Sequence, residues 1–282
     1  MSPDSTPEEQ LLAAATAGDG AAVTAALKAG ADVDAADFNR RTALMLAGTN
    51  GHLDVVKLLL AAGAHVDSPD ASGRTPLMEA SMRSEVDIMQ ALLDAGANVN
   101  LAAALGETAL ILAASARARD TVPILLAHHA DPNIADRDKK TPLMWLVDLQ
   151  FHRGGIPVDV IKPLVVAGAA PNAQDKFGRT ALLWAVKGDL SSSVRPAVLK
   201  ELVDNGVDVN RHDDHGETAL FGLARYMDDT LDLDDGRACV EVLLAAGADP
   251  KARNADGKTA LGVVPARNKL VVDELKKLGL QL

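Results

Sequence analysis

The chain has a single cysteine, Cys239, in 282 residues, so no internal disulfide can form and any thiol chemistry would rest on one side chain. Aromatic residues are scarce, with four Phe, two Trp and one Tyr, too few for a core built on large rings. Positive charge is in deficit: 28 Lys and Arg stand against 39 Asp and Glu, a net charge of −11. That balance disfavours non-specific binding to nucleic acid or to anionic membranes, and neither is an expected partner. No run approaches the roughly 18 apolar residues that a membrane span requires. The start, Met1 to Gln10, has neither the basic lead nor the apolar stretch of a signal peptide, so the protein reads as cytoplasmic. Its Ala-, Arg-, Gly- and Asp-rich composition suggests a bacterial source.

What the chain does have is repetition. Thr42, Thr75, Thr108, Thr141, Thr180, Thr218 and Thr259 each open a Thr-Ala-Leu or Thr-Pro-Leu triplet. Twelve residues before each stands Gly30, Gly63, Gly96, His129, Gly168, Gly206 or Gly247. The first four threonines are 33 residues apart, and the later intervals are 39, 38 and 41. A fixed period of this length marks stacked supersecondary units. Within one unit, Leu44, Leu46 and Ala47 follow Thr42 on one helical face, and a second helix from Asp54 to Ala62 turns Val55, Val56, Leu58, Leu59 and Leu60 inward. Gly63 ends it, because the residue past a helix often needs a left-handed backbone. Each Thr hydroxyl is placed to cap the helix that it opens, and Pro76 and Pro142 fall in the tolerant first turn. Arg40 and Lys139 replace the glycine of the intervening turn, which predicts two strained or reshaped loops. Pro163 falls within a second helix, where it predicts a kink.

The segment Gly51-His52-Leu53-Asp54-Val55-Val56-Lys57-Leu58-Leu59-Leu60, with the Thr-Pro-Leu and Gly-Ala motifs, resembles the ankyrin repeat. The resemblance covers about residues 8 to 282. It implies an all-α repeat solenoid, a stack of about eight helix pairs with β-hairpin loops, capped at both ends. The expected organisation is a single domain, with a cap at 1–33, central repeats over 34–258 and a second cap at 259–282. The family's His after Thr-Pro-Leu is absent; Met45, Met78, Ile111, Met144, Leu183, Phe221 and Gly262 stand there, replacing a polar bridge by packing.

The extra length of the later units falls between paired helices, near 151–156, 190–194 and 227–236, and insertions in a repeat array often mark a functional edge. The acidic stretch Asp228 to Gly236 is not a calcium loop, since Leu231 and Leu233 occupy the places of the first carboxylates. His212 and His215 flank Asp213, which matches the turn residues Asp37, Asp70, Asp136 and Asp175, so a surface turn is favoured over zinc. Cys239 aligns with Val55 and reads as buried and inert. Trp145 and Trp184, four residues after successive threonines, read as packing within the stack. No nucleophile elbow, phosphate loop or metalloprotease helix is present. The chain is read as a non-enzyme without catalytic residues, cofactor or metal.

The resemblance places the binding face on hairpin tips and first helices. Its candidate partner-binding residues are Phe38, Arg41, Arg74, Met82, Arg83, Leu105, Arg137, Lys140, Lys176, Phe177, Arg179, Lys187, His215, Arg225 and Tyr226; Leu149 and Arg267 occupy equivalent places. The 35 positions of this register hold eleven basic and six acidic residues, a local excess of five positive charges in an anionic chain. The expected function is a monomeric protein–protein interaction scaffold or adaptor that takes an acidic or amphipathic partner segment in its concave groove. The alternative is an inhibitor, immunity-type or stress-associated factor that engages an enzyme through the inserted edge.

Overall fold

The computed structural model describes residues 5–148, 156–187, 195–227, 233–265 and 268–281. The chain forms two compact units, Met1–Arg137 and Asp138–Leu282.

The first unit holds four helix pairs: α1 (Pro7–Ala17) with α2 (Gly20–Lys28), α3 (Ala43–Thr49) with α4 (Leu53–Ala61), α5 (Pro76–Arg83) with α6 (Val86–Asp94), and α7 (Ala109–Ser115) with α8 (Thr121–Ala127). Each first helix packs on the next, α1 on α3, α3 on α5 and α5 on α7, while α2, α4 and α6 form a parallel second row. The second unit repeats the scheme with α9 (Pro142–Val147), α10 (Ile161–Val166), α11 (Ala181–Ala185), α12 (Arg195–Asp204), α13 (Ala219–Tyr226) and α14 (Leu233–Ala245). It closes on a short 3-10 turn, Leu261–Val263, and α15 (Lys269–Lys277).

Helices this short are marginal alone, so their stability comes from the faces they bury. The leucines two residues after each Thr, from Leu44 through Leu77, Leu110, Leu143, Leu182 and Leu220 to Leu261, are all buried. Next to them Met45, Met78, Ile111, Met144, Leu183 and Phe221 are buried too, so packing does replace the family's polar His. Six of the seven threonines accept the backbone N–H three residues on, as the sequence predicts. The hydroxyls of Thr42, Thr75, Thr108, Thr141 and Thr180 accept the backbone N–H three residues on, at 3.2–3.5 Å, each a stabilisation of about 1 kcal/mol. Thr218 makes no such bond. Thr259 accepts from Gly262 at 3.2 Å and donates to the Gln281 carbonyl at 2.7 Å, holding the chain's last residues against its own unit.

The loops between pairs are tighter than hairpins with paired strands. Among the described residues the only β pairing is two isolated bridges, Ala36–Thr42 and Arg253–Thr259. A side chain does the work of a ladder: Asp37, Asp70, Asp175, Asp213 and Asn254 each accept the backbone N–H groups two and four residues ahead. Arg40 and Lys139 keep the left-handed backbone of the glycines that they replace, at φ 60° and 58°. Their loops are therefore strained but not reshaped. Pro163 does not kink a helix. A 3-10 turn at Val158–Val160 precedes α10, so the proline sits in the first α-turn, where its missing N–H costs no internal bond.

Two sets of hydrogen bonds join successive loops within each unit. Along the tips, backbone N–H groups of Ala71, Ala104 and Arg137 donate to the carbonyls of Asn39, Ser72 and Leu105 at 2.9–3.0 Å. In the second unit Lys176, Asp214 and Ala255 donate to Asp138, Phe177 and His215 at 2.9–3.1 Å. Nearer the second helices, carboxylate or amide oxygens of Asp34, Asp67, Asn100, Asn172 and Asn210 accept the N–H of His65, Asn98, Asp131, Asp208 and Asp249.

Candidate functional site

The first unit's tips carry two exposed apolar side chains, Phe38 at 92% exposure and Leu105 at 57%. Beside them lies a charged cluster on α5. Arg74 reaches Glu79 at 3.2 Å and Glu107 at 4.0 Å, and its guanidinium lies 3.9 Å from the Met82 sulfur. Arg83 faces the same Glu79 at 3.8 Å. Arg41 is held by Asp37 at 2.8 Å. Arg137 is exposed.

The second unit differs from the sequence reading at Lys140, which the register placed on the exposed face. Lys140 is only 4% exposed. Its ammonium pairs with the buried carboxylate of Asp148 and lies between two indoles, 3.7 Å from the Trp145 ring centre and 3.8 Å from that of Trp184. The two tryptophans pack within the stack, and their ring faces together with the Asp148 carboxylate draw the lysine inward. Arg179 is similarly committed. It gives Nε and Nη2 to buried Asp175 at 3.0 and 2.9 Å and stacks on Phe177 and Trp184. Phe177 stays half exposed at 49%, with Lys176 over its ring and paired to Asp138 at 2.6 Å. Arg225 binds Glu217 through two nitrogens. His215 is exposed, and Tyr226 is the last residue of α13.

A cleft of about 230 Å³ gathers four of the candidate residues, Arg179, Lys187, His215 and Arg225, with Asp213, Glu217 and the apolar Leu183, Val186 and Gly222. Burial, followed by the charge of Arg179, holds the Lys187 ammonium below the ordinary lysine pKa.

The face is therefore charge-paired. The positive excess of the register ignored Asp37, Glu79 and Asp175, which lie just outside it; Asp37 pairs with Arg41, Asp175 with Arg179, and Glu79 is shared by Arg74 and Arg83. Asp213 has the turn role expected of it, accepting from the N–H groups of His215 and Glu217. Among the described residues no three His, Cys, Asp or Glu side chains gather to hold a metal ion. Cys239 is buried, and burial pushes its thiol up to about 12, which suppresses the reactive thiolate. Of the inserted segments, 190–194 and all of 151–156 but the buried Ile156 lie outside the described residues, as do Leu149 and Arg267. In 227–236, Met227 and the start of α14 are described, and the Met227 side chain lies where a Cβ on Gly236 would stand.

Among the described residues no helix is long and apolar enough to cross a membrane. The sequence matches the family model described as ankyrin repeats (3 copies) over residues 11–103 and 151–254, and that described as ankyrin repeats (many copies) over 87–143. Such repeats generally mediate protein–protein interactions, and the proteins built from them are typically non-enzymatic. Matched over well more than half its length, and folded as successive helix pairs joined by tight loops, the chain belongs to the ankyrin repeat family of all-α solenoids.

Proposed function

We infer that the chain is a non-enzymatic scaffold or adaptor that holds an amphipathic, acidic segment of another protein against its hairpin tips and first helices. The observation that carries this reading is Phe38, an almost fully exposed aromatic side chain on a tip tied to its neighbour by a backbone hydrogen bond. Rigid, exposed aromatics next to arginine are the usual anchors of an interface. The arginines are paired, so a partner's carboxylates enter by sharing or displacing acids such as Glu79, at a cost that favours specificity over raw affinity.

The test is capture from a native lysate with wild type, Phe38→Ser and Arg83→Glu. Both variants change exposed side chains and leave the fold intact by circular dichroism. A partner that is recovered by wild type and lost from both variants supports the reading; retention by both removes this face. Arg179→Glu is a poor probe, because it would set a second carboxylate against buried Asp175.

A further inference from the structure

At two threonines of the second unit, Thr141 and Thr218, the residue before the Thr pairs with the residue eight places on. Lys140 meets Asp148, and Glu217 meets Arg225, each an ion pair of opposite charge. Between these two rungs stands a third with the same spacing, Arg179 and Lys187, and there both members are cations. Arg179 spends Nε and Nη2 on Asp175, which leaves Nη1. Among the described residues no acid lies within ion-pair distance of the Lys187 ammonium. Among the described residues the rung has no anion of its own; Asp148, Asp175 and Asp213 reach Lys187 only through their field.

The space for one is present. The position four residues after Thr carries Leu46, Glu79, Leu112, Trp145 and Trp184 in earlier units, but Gly222 in α13. A Cβ there would stand 2.6 Å from Val186 Cγ2, so the glycine sets the cleft floor against that side chain. At about 230 Å³ the cleft is smaller than the roughly 300 Å³ at which drug-sized sites begin, and it suits one side chain. Leu183 and Val186 give it an apolar lining for two methylene groups. Its charged walls, Arg179, Lys187 and Arg225 against Asp213 and Glu217, are brought to neutrality by Asp175 behind Arg179, so the one cation left for a carboxylate to pair with is Lys187. Asp213 and Glu217 oppose a dianion such as phosphate.

We propose that this cleft is a receptor for one glutamate side chain of a partner peptide, whose carboxylate bridges Lys187 and Arg179 while its methylenes lie on Leu183 and Val186. The proposal rests on the scaffold reading above and adds the residue type that the second unit reads. Binding gives Lys187 the ion-pair partner that it does not have among the described residues.

The test uses the full chain and an acetylated, amidated heptapeptide, Gly-Ser-Leu-Glu-Leu-Ser-Gly, with forms carrying Gln or Asp at the centre. Titrations follow the Trp184 indole and Arg179 Nε signals by NMR. The Glu peptide should shift both signals saturably. Lys187→Gln should weaken it at least tenfold, Lys187→Arg less than threefold, and Lys200→Gln, on α12, not at all. Lys187→Gln relieves a like-charge contact, so it keeps the fold. Equal binding of the Gln peptide, unchanged binding by Lys187→Gln, or tighter binding of a peptide with a free C-terminal carboxylate would overturn the assignment. A response to inorganic phosphate alone would also overturn it, as an adventitious anion site. Because the Phe38 and Arg83 variants lie in the first unit, failure here with successful capture there sinks only this cleft.

Discussion

Replacing Lys140 by methionine keeps most of its length and removes the charge that faces Asp148 from between two indoles. Breaking one side of a buried ion pair costs about 3–5 kcal/mol, because the remaining charge stays desolvated. The stacked cation contributes about 2 kcal/mol when desolvated, and this overlaps the same loss. The whole effect should therefore be about 3–5 kcal/mol. With a urea dependence of about 2 kcal/mol per molar, the midpoint falls by about 1.5–2.5 M. The assay is built in: Trp145 and Trp184 are the only tryptophans, so their emission reports the second unit, while circular dichroism reports every helix. Adding Asp148→Leu to Lys140→Met should recover most of the loss, since an apolar pair often equals a buried ionic one. A midpoint shift worth less than about 0.5 kcal/mol for Lys140→Met would refute the reasoning, as would a double variant weaker than the single.

Two further perturbations bear on the loops. Gly106 sits at φ 85°, and a Cβ there would meet the next loop's Asp136 Cα at 2.9 Å, so Gly106→Ala should lose about 2 kcal/mol or more in urea denaturation. Arg40→Gly relieves the same backbone strain without a new collision and should change stability by less than about 1 kcal/mol, in the stabilising direction. For Asp37, burial raises the carboxyl pKa, but the N–H groups and guanidinium of Arg41 and the N–H of Asn39 outweigh it and hold the value below the usual one. A depressed folded-state pKa gives stability that is full above the unfolded value near 3.9 and is lost as pH falls below it. Asp37→Asn should flatten that part of a thermal-stability profile below about pH 4; an unchanged acid limb would refute it.

The elements were legible because their signals are local. Thr42 caps Met45 three residues away, and Asp37 closes a turn within four, so one stretch of chain contains both donor and acceptor. The Asp and Asn ladder was visible in principle as Asp34, Asp67 and Asn100, spaced by 33 residues, but each of them acts only on the following unit. Lys140 was misplaced for a related reason. It shares its register with the partly exposed Arg41, Arg74 and Arg179, and what buries it is the joint presence of Asp148, Trp145 and, from the next unit, Trp184. Register predicts direction but not depth. The cleft at Gly222 escaped similarly, since an absent side chain acquires meaning only against Val186 of the unit before it.

The rungs that join loop to loop have a consequence for how such a chain changes over evolutionary time. The backbone donors all run one way, from an N–H on the later loop to an acceptor on the earlier, and either Asp or Asn supplies that acceptor; Asn100, Asn172 and Asn210 add an amide bond back to the later unit. A copied segment of 33 residues, spliced in frame, would offer its predecessor the donor that it expects and its successor the acceptor that it expects. Gene duplication can thus lengthen this architecture without rewriting either neighbour, which leaves selection to act on what the new tip displays.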